Sequence, residues 1–381
     1  MTMFVMTADQ KAIRSSAVAF AREYLAPNAV DWDRERHFPV DVLRKAAELG
    51  MGGITVREES GGSGLSRSDA VLVFEALAGG CPSISAYLSI HNMVATMIDT
   101  HGDQAQRDRW LGRLCRMDDL ASYCLTEPGT GSDAAAIRTQ AVREGDSYVL
   151  SGTKQFISGA GTSQTYLVMA RTSENGARGI TAFIVDKDTD GLSFGAEERK
   201  MGWSAQPTRQ VIMDRVRVPE ENRLGVEGAG FKIAMNALNG GRLNIAACSL
   251  GGARNALELT LSYLGGREAF GGRLLDMPTI QFQLADMTIA LEAAQALLQR
   301  SAAALDQKSA NAVDLCAMAK AFCTDTGFSV ANQALQLHGG YGYLSDYGLE
   351  KIVRDLRVHQ ILEGTNEIMR LIVGRGLASQ A

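Results

Sequence analysis

Apolar residues along this chain change their spacing twice, and that limits the folds open to it. Up to about Leu120 they recur at helical intervals; beyond it they fall into short β-rich runs. From about Gly228 they return to a helical period over long, Ala-rich stretches. Helices, then strands, then helices without alternation predict an α+β chain of several parts rather than a βαβ sheet. The expected division is an α-helical domain over residues 1–120, an antiparallel β-domain over 121–227 and a helical bundle over 228–381. At roughly 150 residues per domain, 381 residues leave room for two or three.

Local signals agree. Thr7-Ala-Asp-Gln10 has the form of a capping box, followed by Ile13, Ala17, Phe20 and Tyr24 at helical spacing until Pro27. Pro39 opens a second helix and Gly50 closes it; Asp69 to Leu77 and His91 to Ile98 read as buried helices. Strand candidates are Ser147–Leu150, Lys154–Ile157, Thr165–Met169, Ile180–Val185 and Gln210–Met213. Phe231–Leu264, Ile280–Leu305 and Asp314–Leu337 read as long helices packed on all sides.

Charge and cysteine usage exclude several classes. A net charge of -5 gives no electrostatic case for nucleic acid or an anionic membrane. No apolar run approaches a membrane span, and Met1 to Met6 reads as neither a signal nor a transit peptide. Six scattered cysteines form no CxxC pair, no metal site is expected, and reduced thiols fit an intracellular compartment.

Gly129-Thr-Gly131-Ser-Asp-Ala134 matches a dinucleotide fingerprint formally, but Pro128 precedes it and no long helix follows. The segment reads equally as a plain turn or a ligand loop. Gly339-Gly-Tyr-Gly342 reads as a helix C-cap, or as a place where backbone approaches a ligand closely. Arg267 sits in a linker and could clamp a phosphate. No GxSxG, HExxH or P-loop is present, and His338 and His359 read as packed structural residues. Glu363 stands between the apolar His359–Leu362 run and the apolar helical pattern of Ile368, Leu371 and Ile372. It is either a solvated loop residue or a desolvated carboxylate whose raised pKa suits a general base.

Read together, these segments resemble the acyl-CoA dehydrogenase family. Tyr123-Cys-Leu-Thr-Glu-Pro-Gly-Thr-Gly-Ser-Asp133 is similar to its first signature. Gln336-Leu-His-Gly-Gly-Tyr-Gly342, Arg354-Asp355 and Ile361-Leu-Glu-Gly-Thr-Asn-Glu367 are similar to its second. The motifs stand in the family's order from end to end. Phe38-Pro-Val-Asp-Val42, Gly61 to Ser66, Leu238-Asn-Gly-Gly-Arg242 and Val358 to Glu363 resemble a branch acting on short branched acyl groups.

The resemblance implies a helical N-terminal domain, a central β-domain and a C-terminal four-helix bundle assembled as a homotetramer, with FAD between the last two. It implies that Tyr123, Leu125, Thr126, Gly131 and Ser132 line flavin and thioester, and that Phe156, Ile157 and Ser158 flank the isoalloxazine. Arg267 and Phe270 would reach FAD from a neighbouring subunit. Gln336, Gly339 and Gly340 would meet its adenosine–pyrophosphate part, and Thr365, Asn366 and Glu367 would complete the pocket. Ser132, Asn239, Gly240, Gly241 and Arg242 would meet the acyl-CoA, with Glu363 as base. The implied reaction is α,β-dehydrogenation, with isobutyryl-CoA to methacrylyl-CoA in valine breakdown as the expected conversion. Electrons would pass to an electron-transfer flavoprotein, in bacterial cytoplasm or mitochondrial matrix.

Some members carry the base directly before the residue matching Arg242; here that position is Gly241, leaving Glu363 without a rival. Leu88 stands where glutaryl-type members place an arginine, which argues against a dicarboxylate substrate. Leu362 is compatible with a branched acyl group. Pro278 departs from the family's usual glutamine, putting one FAD contact in doubt. The alternatives are 2-methylbutanoyl- or butyryl-CoA dehydrogenation, an acyl-CoA oxidase, and a catalytically silent flavoprotein.

Overall fold

The structure is a computed structural model and describes residues 6–378. Met1 to Met6, read above for a leader, lies almost wholly outside them. The chain starts with α1 (Ala8–Phe20), α2 (Ala29–Glu35), α3 (Val40–Glu48), α4 (Arg67–Gly80), α5 (Pro82–His101) and α6 (Gln104–Cys115). The expected capping box forms: Thr7 Oγ1 accepts the Gln10 N–H at 3.1 Å, and Gln10 Oε1 accepts the Thr7 N–H at 3.2 Å. A second box joins Ser66 and Asp69 at the start of α4. α1 continues as a π-turn, Ala21–Leu25, and the helical stretch closes ahead of Pro27 as expected.

The middle of the chain forms β1 (Ala121–Cys124), β2 (Gln140–Glu144), β3 (Ser147–Ser158), β4 (Thr165–Arg171), β5 (Ile180–Asp186), β6 (Leu192–Phe194), β7 (Thr208–Pro219) and β8 (Arg223–Leu224). The sheet order is β6-β7-β3-β2-β4-β5-β8, with β1 paired to β4. It is mixed rather than purely antiparallel, because β1 runs parallel to β4 and β2 meets β4 in parallel at Gln140. Two expected strands, Ser147–Leu150 and Lys154–Ile157, are one strand. Gly152 (φ +152°) is a kink and not a turn: Thr139 Oγ1 lies 2.5 Å from where its Cβ would stand. A second register shift between Lys154 and Ile157 turns Phe156 out of the ladder.

The remainder is helical: α7 (Gly230–Gly266), α8 (Pro278–Asp306), α9 (Ala312–Leu337), α10 (Leu349–Arg357) and α11 (Asn366–Ala378), with a small hairpin of β9 (Glu268–Ala269) and β10 (Gly272–Arg273) between α7 and α8. The expected four-helix bundle appears as three long helices with two short ones along α9. Left-handed glycines, Gly339, Gly348 and Gly364, break the chain after α9 and between α10 and α11.

One apolar cluster spans both helical parts, from Ala17 and Phe74 through Leu250 and Leu298 to Leu356, while the sheet keeps its own core around Tyr148, Val168 and Phe183. The N-terminal and C-terminal helices therefore share a core, with the sheet to one side. Leu88 packs among Phe20, Leu25 and Leu77 in that shared core. All six cysteines are free and buried. Among the described residues no helix is long and apolar enough to cross a membrane, and no cluster of side chains could hold a metal ion.

Candidate active site

The turn that carries Glu363 follows from its sequence. α10 ends in a short 3₁₀ stretch, Val358–Gln360; Glu363 and Gly364 then take left-handed angles, φ +56° and +88°, before α11 begins. A left-handed residue other than glycine costs on the order of 1–3 kcal/mol and persists only where surrounding contacts fix it. Eight non-glycine residues among those described have positive φ. Three of them, Phe156, Trp203 and Glu363, line a single cavity of about 670 Å³.

That cavity lies where the sheet, α5, α7 and the turn after α10 converge. Glu363 Oε2 is buried in it without a hydrogen-bond partner. Burial pushes the carboxyl up to about 7 from 4.5, against the opposing charges of Arg242 and Lys320. Such a value lies where a general base is most effective. A buried, unpartnered Oε2 does not match the solvated-loop reading of Glu363. Arg242 is buried, and its Nη1 donates to Asn239 Oδ1 at 2.9 Å. Its Nε reaches the Glu363 carbonyl at 3.4 Å.

Gly241 makes room for the base: a Cβ there would lie 2.6 Å from Glu363 Oε2 and 2.9 Å from its Cδ. Gly241→Ala is therefore expected to displace the carboxylate. Loss of alignment predicts a fall in turnover of about 10²-fold with an unchanged melting temperature and flavin content. A turnover within twofold of the parent would show that the contact does not set the base.

Of the residues named from sequence, the cavity brings together Tyr123, Leu125, Thr126, Gly131, Ser132, Phe156, Ile157, Ser158, Arg242, Glu363 and Thr365. Lys154 fixes the loop beneath Leu125. It is fully buried, donates to the Leu125 carbonyl at 3.1 Å and pairs with Glu127 at 2.8 Å. Glu127 also accepts the Arg138 and Thr139 N–H groups. Thus the Gly129–Gly131 segment is a pinned turn, followed only by a 3₁₀ stretch, Ala134–Ala136.

Other candidates fall elsewhere. Asn366 faces away from the cavity and is engaged by Lys320, Thr324 and Asp325; Glu367 is exposed on α11. Gly240 faces the Arg67 guanidinium, 2.8 Å from the site of a Cβ. Arg267, Gln336, Gly339 and Gly340 are exposed, and Phe270 is 94% exposed on the β9–β10 hairpin. None of these five lines the cavity. Leu88 packs in the helical core and does not line the cavity; Ile90 and Met93 are what α5 contributes to it.

Two residues escaped the sequence reading. Trp203 lines the cavity with an unpartnered Nε1, and Asp355 accepts its backbone N–H at 2.6 Å. Its signal was a lone Gly-Trp pair between strands. Lys320 is wholly buried beside the base; its signal was a single lysine in the Ala-rich run of α9.

The walls fit the FAD that the resemblance implies. Roughly 300–1,000 Å³ is usual for a cavity that buries a small ligand. Tyr123, Trp203 and Glu363 line this one, and their Oη, Nε1 and Oε2 atoms are buried without a partner in the chain. Buried polar atoms are seldom left unpaired unless a ligand satisfies them.

Comparison with known proteins agrees. Three family profiles match in order: acyl-CoA dehydrogenase N-terminal domain over residues 7–118, middle domain over 122–216 and C-terminal domain over 228–378. The chain is similar to a mitochondrial isobutyryl-CoA dehydrogenase of Bos taurus, 51% identical over 98% of this chain and 90% of that one. Among solved structures it is similar to butyryl-CoA dehydrogenase from Megasphaera elsdenii, with TM-score 0.96, 35% identity and coverage of 99% and 100%. A chain from a study of the electron transferring flavoprotein of Acidaminococcus fermentans superposes with TM-score 0.96 and 38% identity, covering 99% of both. Matching profiles over nearly the whole length, on a fold whose strained residues converge on one flavin-sized cavity, place this chain in the acyl-CoA dehydrogenase family of FAD-dependent oxidoreductases.

Proposed function

We propose that the protein catalyses α,β-dehydrogenation of a short branched-chain acyl-CoA, with isobutyryl-CoA as its preferred substrate and methacrylyl-CoA as product. The observation that carries the reaction is the buried, unpartnered carboxyl of Glu363, held near neutrality at the cavity wall. Forming a double bond at an unactivated C–C position requires loss of a proton from the α-carbon and of a hydride from the β-carbon. Glu363 takes the α-proton in its ionised form, and the carboxyl keeps it as the acyl C–C bond becomes C=C. Bound FAD supplies the two-electron acceptor for the β-hydride. Ser158, Phe156 and Tyr123 would hold the flavin face, and Arg242, oriented by Asn239, would steady the CoA thioester end.

The similarity to the bovine isobutyryl-CoA dehydrogenase supports the substrate. So does the apolar wall, where Leu362 and Val358 pack against Ile245 and Trp203, all four lining the cavity. We infer an electron-transfer flavoprotein as acceptor. We infer also a homotetramer, which fits exposed Phe270, Phe282 and Ile289 near the bundle's outer face. An intracellular compartment, bacterial cytoplasm or mitochondrial matrix, fits six free buried thiols.

Anaerobic bleaching of the flavin by isobutyryl-, butyryl- and 2-methylbutanoyl-CoA tests the reading. Isobutyryl-CoA is expected to reduce the enzyme fastest, ahead of its straight-chain isomer butyryl-CoA and by about 10-fold over 2-methylbutanoyl-CoA, which is larger by one methylene worth roughly 1–3 kcal/mol. Faster reduction by another acyl-CoA would keep the chemistry and reassign the substrate, and no bleaching by any would reject the reaction. Rapid turnover on oxygen alone would make the protein an oxidase.

A further inference from the structure

The Glu363 side chain makes no hydrogen bond, yet its backbone holds a left-handed turn. The restraint comes from α9. Lys320 Nζ donates to the Gly364 carbonyl at 2.8 Å and to Asn366 Oδ1 at 2.8 Å. Asn366 Nδ2 donates to Thr324 Oγ1 at 3.0 Å and to Asp325 Oδ1 at 2.7 Å. Asp325 also accepts from Gln360 at 2.7 Å and from Arg370 at 2.9 Å. A little more than one turn of α9 thus grips the chain at 360, 364, 366 and 370, on both sides of the base.

Lys320 differs from the rest of this clamp. It is 0% exposed, and both its acceptors are neutral oxygens. A buried ammonium without an ion pair is costly, and a neutral donor would satisfy the same two acceptors. The groups in its field are Glu363 on the turn, Asp325 on its own helix, Arg242 on α7, Glu367 on α11 and His359 on the 3₁₀ stretch. Glu363 contributes most to keeping it charged. The base in turn faces Arg242, Lys320 and the Tyr123 hydroxyl.

We propose that Lys320 is the positioning residue of the base: it fixes the Gly364 carbonyl, hence the turn that aims Glu363, and sets a buried positive charge against which Glu363 ionises. The inference rests on the reading of Glu363 as base. Burial brings Glu363 up to about 7 and Lys320 down to about 7, so the two protonation states answer to each other.

The test is an infrared titration of the Glu363 carboxyl in the holoenzyme, its band assigned by loss in Glu363→Gln, across Lys320→Met, Lys320→Gln and Lys320→Arg. The midpoint is expected to rise by about one pH unit in the Met and Gln variants and to stay near the parent in Arg. Flavin bleaching per bound flavin should slow by about 10-fold in Lys320→Met, with its pH profile displaced upward and partly restored in Arg. An unchanged midpoint in Lys320→Gln overturns the proposal. That variant keeps an N–H for Gly364, so it decides the matter should Lys320→Met fail to fold. The infrared measurement uses no acyl-CoA. Failure of the enzymatic reading would show separately, as absence of bleaching in the parent protein.

Discussion

Glu363→Gln is expected to bind FAD as the parent does and to be reduced by isobutyryl-CoA about 10²- to 10⁴-fold more slowly, measured by anaerobic stopped-flow at the flavin band. Glutamine matches the carboxyl in shape, and Oε2 has no hydrogen bond to lose. The turn is held through backbone and neighbours, by Lys320 on Gly364 and by the Asn366 network, rather than through the Glu363 side chain. What the substitution removes is the proton acceptor and the charge it carries when ionised. The other carboxylate lining the cavity, Glu198, accepts from Gln155 Nε2 at 2.6 Å, and Gly241 leaves no base at its own position on α7. A variant reduced as fast as the parent would mean that another group takes the α-proton.

The same substitution is expected to stabilise the fold at high pH. Burial holds the Glu363 carboxyl at about 7, above its ordinary 4.5. Between those values the folded chain keeps a proton that the unfolded chain releases, so stability falls as pH rises. The contribution is fully present below about 4.5 and lost as pH passes through 7. Glutamine cannot ionise and escapes the loss. A shift of this size has a ceiling on the order of 3 kcal/mol. Partial exposure of the residue lowers the expectation to roughly 2 kcal/mol. Lys320 acts in the opposite sense over a higher window: its pKa is depressed to about 7, so its cost fades as pH rises from 7 towards 10.5. Glutamine also withdraws the charge that most favours the charged form of Lys320, which offsets part of the gain where Lys320 titrates. At pH 8 Glu363→Gln should melt above the parent at matched flavin content, and at pH 4 the two should coincide. Equal melting at pH 8 would show the carboxyl to be hydrated in the folded protein.

Most of the architecture was legible because periodicity survives folding wherever one pattern runs long. α7, α8 and α9 begin and end within a few residues of the expected limits. What misled was a glycine read as punctuation. Gly152 divides Ser147–Leu150 from Lys154–Ile157 in sequence, yet in space it only kinks one strand around Thr139. β1 escaped because two of its four residues, Tyr123 and Cys124, belong to the loop signature, and its partner β4 is far off in sequence and parallel. At the site, Glu363 was readable as a carboxylate between apolar segments. The partners of Asn366 went unread for the same reason that Lys320 was missed. Both lie in one buried network whose partners stand more than forty residues apart, and no local spacing records it. Leu88 shows the converse: position within a motif did not say which face of α5 it would take.

The six cysteines have a use that their silence conceals. All are free and buried, and burial raises the thiols of Cys115, Cys124, Cys248, Cys316 and Cys323 above their ordinary range, so few thiolates exist at neutral pH. A thiol reagent therefore cannot survey the surface of this protein; it counts openings. Cys124 reports on β1 beneath the flavin loop, Cys316 on α9 beside Arg242, and Cys248 on the middle of α7. The chain thus carries, without any engineering, a set of internal clocks whose labelling order would give the sequence in which its layers come apart.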